Sequence, residues 1–192
     1  KLSRVTLDVD NGVGTITVNR PDKLNALDPE TVAQLGEQFE KAQADTNVEA
    51  IVIAGAGKAF VAGADVQFFV DKIRENALDK IQAFTEQGQK IFRAIEKSPK
   101  RVVCAMDGLA LGGGAELALA CHTIVATHRG SMGFPETGIG IYPGLGGTQR
   151  SARRVGIPLA RWLVLSGDMV PAKLAIGMGL VDELVSTNDL AQ

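Results

Sequence analysis

RVVCAMDGLALGGGAELALACHTIVAT, residues 101–127, decides the fold. Residues 102–106 form a short, wholly apolar run of the kind that is buried on both faces as a strand. Three glycines then lead residues 112–121, where alanine and leucine predict a helix, and residues 123–127 return to strand composition. Two strands separated by a helix pair as parallel neighbours through a crossover, which is the unit of an α/β fold.

The same alternation extends outward. Val5, Leu7 and Val9 alternate with polar residues, Asn11-Gly12 supplies a turn, and Val13, Thr15, Ile16 and Val18 continue, which together predict a hairpin. Asp28 as N-cap and Pro29 at the first helical position open a helix that carries Val32, Leu35 and Phe39 on one face and ends near Asp45. Residues 50–54 predict another buried strand. Ile81, Phe84, Gly88, Ile91, Phe92 and Ile95 keep a helical period up to Ser98-Pro99. After Met132 the chain is rich in Gly and Pro as far as Gly147, too long for a turn and therefore a candidate functional loop. Helices over 158–166 and 171–178 and a strand over 180–185 complete the pattern. Ligand loops of α/β sheets lie at strand carboxyl ends, here 55–65, 107–116 and 134–147.

With 45% hydrophobic and 22% charged residues in 192, one core and one domain over 1–192 are expected. The 20 basic and 22 acidic residues nearly cancel, so no long-range field recruits nucleic acid or an anionic membrane. Cys104 and Cys121 lie in apolar runs without CxxC spacing, which predicts reduced core thiols and a cytoplasmic location, or an organellar matrix after processing. No apolar stretch approaches the roughly 20 residues that span a bilayer.

Three constellations carry chemistry. Gly112-Gly113-Gly114-Ala115-Glu116 places bare amides and a carboxylate at a helix N-terminus, which suits an oxyanion, or else is a tight turn with close helix packing. Phe60-Val61-Ala62-Gly63-Ala64-Asp65 follows a strand and lets a ligand approach main-chain amides, with Lys58 near enough to offer a phosphate partner. Glu136 stands in the glycine-lined loop 133–147 either as a proton-transfer group or as a solvated surface carboxylate. Neither GxxxxGK[ST] nor GxGxxG is satisfied, and no serine lies in GxSxG. His122 and His128 fit no metal spacing, so no metal is expected. Arg150, Arg153, Arg154 and Arg161 form a basic stretch that solvated helix faces and ion pairs explain as well as a phosphate does.

RPDKLNAL (20–27), FVAGAD (60–65), DGLALGGGAELALACH (107–122), GFPETGIGIYPGLGGTQR (133–150) and GDMVPAKLAIGMGLVDELV (167–185) together resemble the crotonase superfamily of enoyl-CoA hydratases and isomerases, in order and in spacing. The resemblance implies a spiral of repeated ββα units that binds acyl-CoA thioesters, with the thioester oxygen between the amides of Ala64 and Gly113. It implies Glu116 and Glu136 as the catalytic pair, Gly144 as a holder of water, and Ala62, Asp65, Val66 and Gln67 with Lys58 on the CoA side. The reaction implied is reversible syn addition of water to a trans-2-enoyl-CoA, giving a 3-hydroxyacyl-CoA in fatty-acid β-oxidation or related acyl-CoA metabolism. Coenzyme A enters as part of the substrate, with no covalently bound cofactor. Alternatives are double-bond isomerisation, another crotonase-type thioester reaction, and a noncatalytic relative that binds RNA or a protein partner.

Family members commonly form trimers or dimers of trimers, and they run on past position 192 into a C-terminal helical segment. This chain opens at Lys1 without an initiator Met. It is therefore expected to be a fragment, or the hydratase module of a multifunctional protein fused to a 3-hydroxyacyl-CoA dehydrogenase.

Overall fold

Asn11 (φ 47°) and Gly12 (φ 82°) both adopt the left-handed backbone that a two-residue hairpin turn requires. They join β1 (Val5–Asp10) to β2 (Val13–Val18) as an antiparallel pair running from Val5↔Val18 to Asp10↔Val13. The computed structural model describes residues 3–191. Lys1 and Gln192, the chain ends that bear on the expectation of a longer chain, lie outside the described residues.

From β2 onward the main sheet is parallel. It continues through β3 (Ala50–Gly55), β5 (Arg101–Met106), β7 (Thr123–Thr127) and β10 (Glu183–Val185), in the order β1-β2-β3-β5-β7-β10. A second sheet, β4-β6-β8-β9, is built from β4 (Ala59–Ala62), β6 (Leu109–Leu111), β8 (Ser131–Gly133) and β9 (Met169–Pro171). It is parallel except for β8 against β9. β3, β5 and β7 each hand the chain to a short strand of the second sheet, so ββα units wind between two layers as the resemblance implied.

The second sheet corrects the residue-level reading, which treated 55–65 and 107–116 as loops. β6 and β8 span three residues each, too short for a hydrophobic period to declare itself. At the C-terminal end, the helix expected over 171–178 is β9 followed by α7 (Ala172–Ala175), and the last strand is shorter than expected.

Helices cover the sheets. Asp28 caps α1 (Pro29–Ala44) by accepting from Thr31 N at 2.9 Å, and Val32, Leu35 and Phe39 are buried as their spacing predicts. α2 (Val66–Arg74) is amphipathic, and α3 (Leu78–Glu96) buries Phe84, Gly88, Phe92 and Ile95. α4 (Gly113–Ala120) differs in kind, since every one of its residues is buried. α5 (Gly147–Val155) and α6 (Ile157–Ser166) follow the glycine-rich loop. The His122 ring sits between Val102 N and Glu96 O, at 3.0 and 3.1 Å, so Nδ1 accepts and Nε2 donates: a neutral structural histidine. Among the described residues no helix is long and apolar enough to cross a membrane, and no cluster of His, Cys, Asp and Glu could hold a metal.

Segment 20–27 fixes the FVAGAD loop. Ala62 N donates to Leu24 O, Leu27 N to Gly63 O and Asp65 N to Leu27 O, all within 3.0 Å. The fully buried Asn25 accepts from Arg20 N and donates to the carbonyls of Ala56, Ala59 and Phe60 at 2.8–3.1 Å. Removing this side chain orphans buried backbone groups at about 1–3 kcal/mol for each group left unmet. Asn25→Ala should therefore lower stability in urea unfolding by about 2–3 kcal/mol, and it should loosen the loop that carries Ala64.

Candidate active site

α4 opens at Gly112, whose φ of 49° and ψ of −119° suit glycine. A Cβ there would lie 2.9 Å from Glu136 Oε1, so the absence of a side chain lets the Glu136 carboxyl rest against the helix start. Glu116, one turn in, is 1% exposed. Its Oε1 accepts from Leu145 N and from Gly147 N, both at 2.7 Å, while its Oε2 has no protein partner among the described residues. Gly147 is required here too, because a Cβ would stand 2.9 Å from that Oε1.

Burial pushes Glu116 up to about 7, opposed first by the Gly147 amide, with the neighbouring Glu136 carboxyl raising it further. Glu136, on the 3-10 turn Pro135–Ile139, is also raised by burial, and its buried Oε2 has no hydrogen-bond partner. Two desolvated carboxyls thus share one site, the arrangement that holds protons near neutrality.

Both face a cleft of about 1750 Å³, larger than the roughly 300–1,000 Å³ of a drug-sized pocket. The backbones of Gly113 and Ala64 meet on its wall. A Cβ at Gly113 would lie 3.7 Å from Ala64 N, and neither amide donates to any acceptor among the described residues. Gly144 lines the same cleft, with its carbonyl accepting from Gln89 Nε2 at 2.7 Å.

The structure therefore gathers Ala62, Ala64, Val66, Gly113, Glu116, Glu136 and Gly144 around one space. It places Lys58, Asp65 and Gln67 outside that wall. Lys58 is exposed on the turn between β3 and β4. Asp65 caps α2 through Gln67 N at 3.2 Å and pairs with Arg20 at 3.1 Å, while Gln67 Nε2 donates to Asp71 at 2.7 Å. Residue reasoning missed Gln89, Arg150 and the amides of Leu145 and Gly147. Backbone donors leave no mark in sequence beyond the density of glycine around them. Of the solvated faces and ion pairs expected for its stretch, Arg150 takes the ion pair, with Glu96 at 3.0 Å, and is not solvated, being only 8% exposed.

An enoyl-CoA hydratase/isomerase family model matches residues 8–192. The chain belongs to that family. It is 37% identical to the short-chain-enoyl-CoA hydratase of Clostridium acetobutylicum over 191 residues, covering 99% of this chain and 72% of that one. To the crotonyl-CoA hydratase of Syntrophomonas wolfei it is 38% identical over 187 residues, covering 97% and 70%. The crystal structure of an enoyl-CoA hydratase from Bacillus anthracis superposes with a TM-score of 0.91 at 30% identity, over 98% of this chain and 72% of that one. Within the enoyl-CoA hydratase/isomerase family, then, this chain holds a glutamate at both carboxyl positions of its cleft.

Burial of Glu116 has a cost that depends on pH. The folded state, with Glu116 near 7, binds its proton more tightly than the unfolded chain, whose glutamates titrate near ~4.3. This group's stabilising contribution is therefore complete below the unfolded value and is lost as pH rises through about 7. Glu116→Gln, which never ionises, should be more stable than the parent at about pH 8 by on the order of 1–3 kcal/mol, and the difference should shrink toward about pH 5. Urea unfolding at the two pH values measures it.

Proposed function

We propose that the chain hydrates 2-enoyl-CoA thioesters through the paired carboxyls Glu116 and Glu136. The observation that carries this reading is that the buried Glu116 and the half-buried Glu136 carboxyls face one cleft beside the unpaired amides of Ala64 and Gly113. The naming of two similar relatives as hydratases supports it.

As water adds to the β carbon of an enoyl thioester, negative charge gathers on the thioester oxygen. Ala64 and Gly113 N–H are placed to receive that oxygen, and one such donor is worth about 3–4 kcal/mol of barrier. Glu116 takes the proton of the attacking water, the water oxygen bonds to the β carbon, and the C=C electrons move toward the thioester oxygen. Glu136 then donates a proton to the α carbon as the enolate collapses. Return of a proton from Glu116 to Glu136 restores the starting state. Burial raises both carboxyls, so the roles rest on placement instead: the two amides on Glu116 Oε1 favour its carboxylate form and suit the base, which leaves Glu136 as donor. Gly144, on the cleft wall beside Leu145, is proposed to hold the water.

The CoA arm is proposed to run past Ala62 and Val66, and the acyl chain to lie against Phe69, Ile81 and Phe84, all of which line the cleft. Lys58, Asp65 and Gln67 are not assigned a contact in this pose.

Loss of the enoyl-thioester ultraviolet band of crotonyl-CoA measures turnover. Glu116→Gln and Glu136→Gln should each lower kcat by about 10²–10⁴-fold with KM changed only a few-fold, because each removes a proton-transfer group and leaves the binding surface intact. Retention of the full rate by either variant would overturn the pairing.

A further inference from the structure

Glu116 does not position itself, since everything that orients its carboxyl comes from loop 144–147. Three consecutive peptide groups matter there. The first and third give the N–H groups of Leu145 and Gly147 to Glu116 Oε1. The middle one presents the carbonyl of Leu145, which accepts from Arg150 Nη1 at 2.8 Å. The other end of the guanidinium, Nη2, donates to Glu96 Oε2 on α3 at 3.0 Å. Gly146, with φ 105°, makes the passage possible, since a Cβ there would stand 2.3 Å from Nη1.

Burying this cation is expensive. Arg150 is 8% exposed, and its Nε is buried with no hydrogen-bond partner. A surface ion pair with Glu96 would need none of that burial, and a helix start can be capped by a neutral side chain. What burial adds is a rigid fork that fixes one carbonyl between two catalytic donors.

We propose that Arg150 is a positioning residue for the water-activating carboxyl: by clamping the Leu145 carbonyl it holds the two amides that aim Glu116. This rests on the proposed hydratase reading for its kinetic consequence, though not for its geometry. The charged groups around Glu116 are Glu136 on its 3-10 turn, Arg150 on α5 and, behind Arg150, Glu96 of α3 with Arg153 at 3.6 Å. Of these the Arg150 cation lowers the proton affinity of Glu116, so its removal raises it further.

The test uses Arg150→Met, Arg150→Lys and Glu96→Gln in the whole chain, with folding checked by circular dichroism. Two readouts are taken: crotonyl-CoA hydration against pH, and the ¹³C titration of the Glu116 carboxyl, assigned with Glu116→Gln. Arg150→Met should lose about 10²-fold in kcat with KM nearly unchanged, the scale expected for a catalytic group misplaced by about 1 Å. The acid limb of its rate profile and the carboxyl titration should both move to higher pH, and added guanidinium should restore part of the rate. Arg150→Lys, which keeps the charge and loses the fork, should still lose rate, and its titration should rise by less than in Arg150→Met, because the amides are loosened while the cation remains. Glu96→Gln, which frees the other end of the fork, should lose less than either. A folded Arg150→Met protein with parental kcat and parental titration overturns the proposal. If the parent does not hydrate crotonyl-CoA, the hydratase reading falls, and the carboxyl titration alone decides: an upward shift in Arg150→Lys, which keeps the charge, supports the clamp, and a parental titration in that variant overturns it. Should Arg150→Met not fold, Arg150→Lys decides through rate in the same way.

Discussion

A carboxyl on a helix with no exposed face has to be satisfied by backbone from elsewhere, and in this chain that constraint organises the site. α4 is buried along its length, so Glu116 cannot turn to water. Its oxygen must meet donors carried by a different segment, and the only free donors of a rigid loop are its amides. Those amides point at Glu116 only if the loop 144–147 adopts an irregular path, which glycines at 144, 146 and 147 permit. The path then needs its own support, which comes from Gln89 on the Gly144 carbonyl and from Arg150 on the Leu145 carbonyl. One buried charge thus dictates the composition of a loop nearly thirty residues away.

The two-layer spiral makes this meeting possible. Three of the four strands of the second sheet end where the site begins: β4 runs into Gly63 and Ala64, β6 into Gly112 and Gly113, and β8 into the turn that holds Glu136. Because β4, β6 and β8 are neighbours in register, with Ala62 beside Leu111 and Leu111 beside Gly133, three chain segments distant in sequence emerge side by side. Segment 20–27 then holds the first of them from outside through main-chain bonds and Asn25. The amides of Ala64 and Gly113 and the two carboxyls are therefore placed by strand ends and sheet register, which are stiff, and only the amide support of Glu116 is left to a loop.

How much of this could be read beforehand follows from the length scale of each signal. β1, β2, α1, β3, β5 and β7 declared themselves because a hairpin turn, a capped amphipathic helix or an apolar run is local and repeats. β6 and β8 did not, since three residues carry no period, and their pairing is with strands far off in sequence. At the site, Glu116 and Glu136 stood out as carboxylates in glycine-rich surroundings, and the resemblance paired them. The ion pairs expected of Arg150, Arg153 and Arg154 are present, but the burial of Arg150 was not legible, because a helix carrying three arginines looks solvated until its first turn is seen against α3 and α4. Asp65 and Gln67 were drawn to the ligand side by their place beside Ala64, whereas an aspartate followed by a helix is first of all a cap.

The balance of forces on Glu116 explains why so elaborate a cradle is built around one group. Full burial alone raises a carboxyl by as much as about 3–5 pH units. Left there, Glu116 would stay protonated at neutral pH and could not serve as the base proposed for it. The Gly147 and Leu145 amides pull it back, Glu136 pushes it up again, and Arg150 moderates the result, leaving it at about 7. A base poised at the working pH gives the largest product of available base and driving force for proton transfer. Exposure would also have lowered the value, but it would have let water compete for the carboxyl and for the two amides on the cleft wall. Amide donors tune the group without wetting it, and their number is set by how many peptides the loop can turn inward. Glycine at 147 is therefore an electrostatic requirement before it is a conformational one: a Cβ there would stand 2.9 Å from Glu116 Oε1, and its absence lets the chain come close enough to a buried carboxyl to supply an N–H group in place of solvent.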